Sequence, residues 1–167
     1  MSLVKRVLRL SLVVVIVVAI FGGGWLVGRL GIGSAVVNPA SLSDAERQFT
    51  ERMRDVKLVG SFTMAGREER TPRSEGYEID SVEKVGDNLW RFNAGMKCCG
   101  VSGTIPVVVP MRFNGDTPMI MMTDTSLPGL GTFTVRVFFY GDRYSGTWQH
   151  GAVGGHMWGR IEKKSPN

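Results

Sequence analysis

The side chains best suited to metal, redox or acid–base work in this chain of 167 residues are two adjacent cysteines, Cys98 and Cys99, and two histidines, His150 and His156. The cysteines sit between Lys97 and Gly100, at the tip of what reads as a hairpin. An adjacent pair can close a strained ring disulfide, bind a soft ion such as Cu(I), or stay as two independent thiols on opposite faces of a strand, and the last is the default. In an exported compartment an exposed strained disulfide would be labile, so a metal or redox role for this pair is the minor reading. Two cysteines cannot build a disulfide framework or a four-thiolate zinc site, and no Cys-x-x-Cys is present. His150 and His156 flank residues 151–155 and could face one another across a final hairpin. Chemistry there needs a third ligand or an orienting carboxylate, and Asp142 and Glu162, the nearest in sequence, read as turn and surface residues. Ser102 and Ser145 lack a Gly-x-Ser-x-Gly setting, and the chain has no phosphate loop, dinucleotide fingerprint or HExxH. No catalytic residue or cofactor is expected.

The second group of candidates is apolar. Phe62, Trp90, Phe92, Phe133, Phe139, Tyr144 and Trp148 fall on strand faces where they either fill a core or line a cavity for one small ligand. Tyr144 and Trp148 share a face with Gly146 between them, and the glycine is expected to leave room beside the two rings.

The elements that hold these residues follow from hydrophobic period. Alternating segments recur at 56–64, 77–85, 88–94, 104–113, 119–124, 132–140, 143–150 and 156–162, separated by turn signals such as Asn114-Gly115-Asp116 and Gly141-Asp142. Short links force antiparallel neighbours, so an all-β meander of about eight strands is expected, as a barrel, a flattened barrel or a two-layer sandwich. Residues 65–76, rich in Arg and Glu, read as a long charged loop. Pro106 and Pro110 lie four apart on one side of the fourth segment and argue for an edge, bulge or bend, which weakens the closed-barrel reading. The run PMIMM at 118–122 is apolar at successive positions, which implies burial on both faces under the helix that precedes the strands. That helix is expected at 44–55: Ser43 and Glu46 form a capping box, and Ala45, Phe49 and Met53 recur at helical spacing.

The chain as a whole has 20 Lys and Arg against 15 Asp and Glu, a net charge of +5. Lys5, Arg6, Arg9 and Arg29 supply +4 of this before residue 43, and the remainder is almost neutral with its charges interspersed. A nucleic-acid reader gathers its cations on one face, so nucleic acid is not an expected partner. Residues 10–28 are apolar apart from Ser11, and as a helix they span about 28 Å, close to a hydrocarbon core. The basic flank Lys5, Arg6 and Arg9 places the N-terminus in the cytoplasm. The expected organisation is a cytoplasmic segment 1–9, a transmembrane helix 10–28, a linker 29–41 and an exported domain 42–167. Secretion after cleavage near Ala35 is the alternative.

The segments GLGTF at 129–133 and FYGDRYSGTWQHGAVGGHMWGRIE at 139–162 resemble an uncharacterised family of small exported or membrane-anchored proteins of planctomycete-type bacteria. That resemblance implies no activity, cofactor or site residue. At the level of architecture alone the reading is similar to lipocalins and fatty-acid-binding proteins, although the early lipocalin Gly-x-Trp is not recognisable near Gly60. The expected function is therefore binding of a small apolar ligand by a membrane-anchored, extracytoplasmic β-domain. The alternative is an interaction module of an envelope protein complex.

Overall fold

The computed structural model describes residues 34–65, 72–98, 101–127 and 131–164, and the side chains of all of these except 96–98, 101 and 102. The apolar segment 10–28, its basic flanks and Cys99 lie outside the described residues. Among the described residues no helix is long and apolar enough to cross a membrane.

Eight strands follow one helix, α1 (Asp44–Arg52). They are β1 (Val56–Phe62), β2 (Arg73–Lys84), β3 (Leu89–Cys98), β4 (Val101–Asn114), β5 (Thr117–Leu127), β6 (Gly131–Tyr140), β7 (Arg143–His150) and β8 (Val153–Lys163). Each pairs antiparallel with the next, and β8 pairs with β1 from Val56↔Lys163 to Phe62↔Met157, closing a barrel. Closure settles the choice between barrel and sandwich that the sequence left open, and it leaves no free edge strand. The turns use the residues expected of them: Gly115, Gly141 and Gly151 all take positive φ, which costs glycine nothing.

The helix begins at its capping box. Ser43 Oγ accepts from the Glu46 amide at 3.3 Å, and the Ser43 amide donates to Glu46 Oε2 at 2.9 Å. It is shorter than expected because Asp55 adopts φ 51°, a left-handed conformation that swings the chain into β1. Asp55 is fixed there by two backbone bonds, from its amide to the Asp80 carbonyl at 3.0 Å and from the Lys164 amide to its own carbonyl at 2.9 Å. The helix plugs one end of the barrel. Phe49 and Met53 are fully buried, and the Phe49 ring meets Trp90, Phe92, Phe113 and Phe139 at centroid distances of 5.4–6.5 Å. At its rim Lys84 Nζ lies 2.6 Å from Glu46 Oε1, tying the helix to the end of β2.

Three local expectations are corrected. Residues 73–76 are not loop but the start of β2, paired from Phe62↔Arg73 to Gly60↔Glu75, because β1 offers its backbone there whatever the polarity of the side chains. The run 118–122 is not buried on both faces: Pro118 and Met122 are buried, Ile120 points into the barrel and Met121 is exposed on the outside, so the strand alternates like the others. Gly146 does not open space beside rings. A Cβ there would collide with the Arg136 carbonyl, so the glycine lets β6 and β7 approach closely.

The two prolines of β4 mark a real feature of the wall. β4 pairs with β3 from Leu89↔Pro110 to Cys98↔Val101, but with β5 only from Met111↔Ile120 to Asn114↔Thr117. Beyond Ile120, β5 pairs with β6 alone and bulges between Met122 and Thr125, with Asp124 at φ 45°. Arg136 stitches the bulge, its guanidinium donating to the Met122 and Val135 carbonyls and, at 2.7 Å, to Thr123 Oγ1.

Candidate functional site

With α1 closing one end, the inward side chains of the other half of the barrel surround an open cup of about 440 Å³. That volume falls within the range of about 300–1,000 Å³ typical of small-molecule sites. Its walls are aliphatic and aromatic, from Leu58, Ile79, Val107, Val109, Ile120, Val135 and Val137 together with Phe62, Phe92, Phe133, Phe139, Tyr144 and Trp148. Six of the seven aromatics expected at a cavity are thus on its wall. Trp90 is the exception. It is buried at the helix end, 6.0 Å from Phe49 and 5.6 Å from Phe113, where it forms part of the plug. Cross-strand position separates it from Phe92: Trp90 opens β3 beside α1, and Phe92 stands one inward position nearer the mouth.

One row of cross-strand partners runs over four strands and ends toward the mouth at Glu75: Tyr144↔Gly159 from β7 to β8, Gly159↔Gly60 from β8 to β1, and Gly60↔Glu75 from β1 to β2. The two glycines leave a bare stretch of wall on which the Tyr144 ring lies. A Cβ on Gly60 would collide with the Tyr144 hydroxyl and the Trp158 carbonyl, and one on Gly159 would meet the same ring and the Val59 carbonyl. Lying across this floor, Tyr144 reaches Glu75 and donates to its Oε1 at 2.8 Å. From the next inward position on β2, Tyr77 donates to Oε2 at 3.1 Å. Glu75 is the one charged side chain among the residues lining the cup. The Tyr77 hydroxyl is pushed up to about 12, first by burial and then by the neighbouring Glu75 charge. Tyr144 is pushed up further by burial, by its hydrogen bond to Glu75 and by that residue's charge. Both phenols are neutral donors at any physiological pH.

Glu75 and Tyr77 were missed in the sequence. Glu75 falls in the segment that reads as a charged loop, and the signal that could have found it is the alternation Arg73, Glu75, Tyr77, Ile79, which continues the inward face of β2 to the mouth.

The other candidates are dispersed. His150 and His156 do not face one another. His150 pairs with Val153 and His156 with Thr147, and their odd offset puts them on opposite faces of the wall. The His150 ring packs edge-on against Phe133 at 4.5 Å, at the rim, and His156 is exposed. Cys98 ends β3 opposite Val101, and Cys99 lies outside the described residues. Among the described residues no three His, Cys, Asp or Glu side chains come together as a metal site.

Comparison of the chain with family models, with curated proteins and with solved structures gives no match.

Proposed function

We propose that this protein is a membrane-anchored binding protein that holds a small, largely apolar molecule in the cup of an extracytoplasmic barrel. The observation that carries the reading is the 440 Å³ cup itself. A barrel of eight strands is narrow enough to fill its own interior, yet here Phe49, Trp90 and Phe113 cluster at the plugged end, and the residues toward the mouth surround space. The anchor rests on residues 10–28, whose length and basic flank fit a helix with its N-terminus in the cytoplasm. Membership of the planctomycete-type exported family, suggested by the residues of β6 to β8, belongs to the same proposal.

The test is native mass spectrometry of the full chain extracted from membranes, followed by titration with the neutral apolar fluorophore N-phenylnaphthylamine. A copurified small molecule, or saturable fluorescence enhancement displaced by apolar competitors, supports the reading. Repeated absence of ligand together with no saturable probe binding overturns it.

A further inference from the structure

Glu75 is the one charged side chain on the described wall of the cup, where the other polar atoms include the Tyr77 and Tyr144 hydroxyls and Trp148 Nε1, a buried donor with no partner among the described residues. Both donors to Glu75 are neutral phenols, and no described cation lies within ion-pair distance of its carboxylate. Arg73 begins β2 two residues nearer the mouth on the same face, is exposed and makes no ion pair with Glu75. A carboxylate can accept at about four positions, and Tyr144 and Tyr77 occupy one on each oxygen, so each oxygen keeps an acceptor position. Holding a charge beside aliphatic and aromatic walls is costly unless something of opposite sign joins it.

We propose that the cup takes an amphiphilic amine, whose apolar body occupies the barrel interior and whose protonated nitrogen pairs with Glu75. The assignment rests on the binding reading above and sharpens it to a ligand class. The two tyrosines hold the carboxylate in place without neutralising it, and no cation among the described residues pairs with it, so the ligand's nitrogen supplies the positive charge. Phe62, Tyr144 and Trp148 also line the cup, and aromatic rings add favourable surface for a cation. A fatty or aromatic acid would bring a second carboxylate against the first and is disfavoured by repulsion in a low-dielectric site. A neutral alcohol can donate one hydrogen bond but leaves the charge uncompensated. The row that positions Glu75 also argues for a dedicated site: two glycines on facing strands are kept bare so that one phenol can span them and reach the carboxylate.

The experiment compares three matched probes, phenylbutylamine, phenylbutanol and phenylbutanoic acid, by calorimetric titration of the full chain in phosphatidylcholine nanodiscs, with empty nanodiscs as the blank and near neutral pH. The amine is expected to bind about tenfold or more tighter than the alcohol, as a charge-assisted bond requires, with the acid weakest. Glu75→Gln keeps the side chain's shape and an acceptor for the tyrosines and should erase the preference. Tyr77→Phe removes one of the two donors that hold the carboxylate and should reduce the preference, and it serves as the second variant should Glu75→Gln fail to fold. Binding of all three probes without discrimination, or a preference for the acid, overturns the amine assignment and leaves apolar binding standing. No binding of any probe overturns both.

Discussion

At the scale of single residues, a pair of glycines decides how Tyr144 reaches Glu75. Gly60 and Gly159 face each other across β1 and β8, and the missing side chains are replaced by the Tyr144 ring, whose hydroxyl ends on Glu75. Adding a single methyl at Gly60 should therefore act twice, against the Trp158 carbonyl and against the phenol. Gly60→Ala is expected to lower stability by about 1–3 kcal/mol, the usual range for overpacking, or more where backbone is in the way. It should also weaken amine binding by displacing Tyr144 from Glu75. Gly76→Ala is the control, because a Cβ there meets Lys57 Cε at an ordinary 3.6 Å. Urea unfolding of the two variants checks the expectation, and equal midpoints would remove the argument that Gly60 is a floor for the ring. None of this arrangement was legible in the sequence. A glycine in a strand pattern announces close approach but not to what, since the approaching group sits on strands distant in the chain. The aromatic wall was legible because inward and outward positions alternate. Trp90 was misassigned because alternation fixes a face and not a height along the barrel.

At the scale of elements, α1 was legible almost to its ends because its start is a local matter. A capping box and a three-residue apolar stripe are written within eleven consecutive positions. Its partner was not, since Glu46 and Lys84 lie 38 residues apart. This ion pair gives the helix a pH-dependent attachment. Burial acts to raise the Glu46 carboxyl, but Lys84 Nζ and the Ser43 amide outweigh it and hold the carboxyl below its ordinary value of 4.5. The folded protein thus binds this proton more weakly than the unfolded chain. The stabilisation is complete above the ordinary carboxylate value and is lost as pH falls through the folded one. Glu46→Gln should cost about 1.5–3 kcal/mol near neutral pH, the scale of a hydrogen bond to a charged group, with the gap to the unmodified protein narrowing below pH about 4. Unfolding curves of the two proteins across the acid range test this, and a pH-independent gap would show that the pair's charge is not what secures the plug.

At the scale of the whole molecule, the order of eight strands was written in their turns, and the unevenness of the wall was written in two prolines whose reason lies in barrel closure. The Met111 amide donates to the Asn88 carbonyl at 2.8 Å, on the β3 side. Strand alternation then aims the odd-numbered amides of β4 at β3 and the even-numbered ones at β5. Pro106 and Pro110 are even, so they remove donors only from the side where the ladder with β5 has ended. Sequence reasoning took the prolines as evidence against closure, whereas the barrel closes through Met111 to Asn114 and parts its hydrogen bonding above them. The bulge of β5 at Met122 to Thr125 turns that strand toward β6 over the same height, and Val107, Val109 and Ile120 put this seam on the wall of the cup. Amides without a ladder partner are protected only by local burial, so hydrogen exchange should be uneven along β4: the exposed Thr104 fast, Ile105, Val107 and Val109 slow. The contrast should narrow when a ligand fills the cup, because ordering the wall beside Ile120 suppresses opening of the seam. Exchange measured amide by amide decides the point. Uniform protection along β4 would mean that the wall is as continuous there as elsewhere.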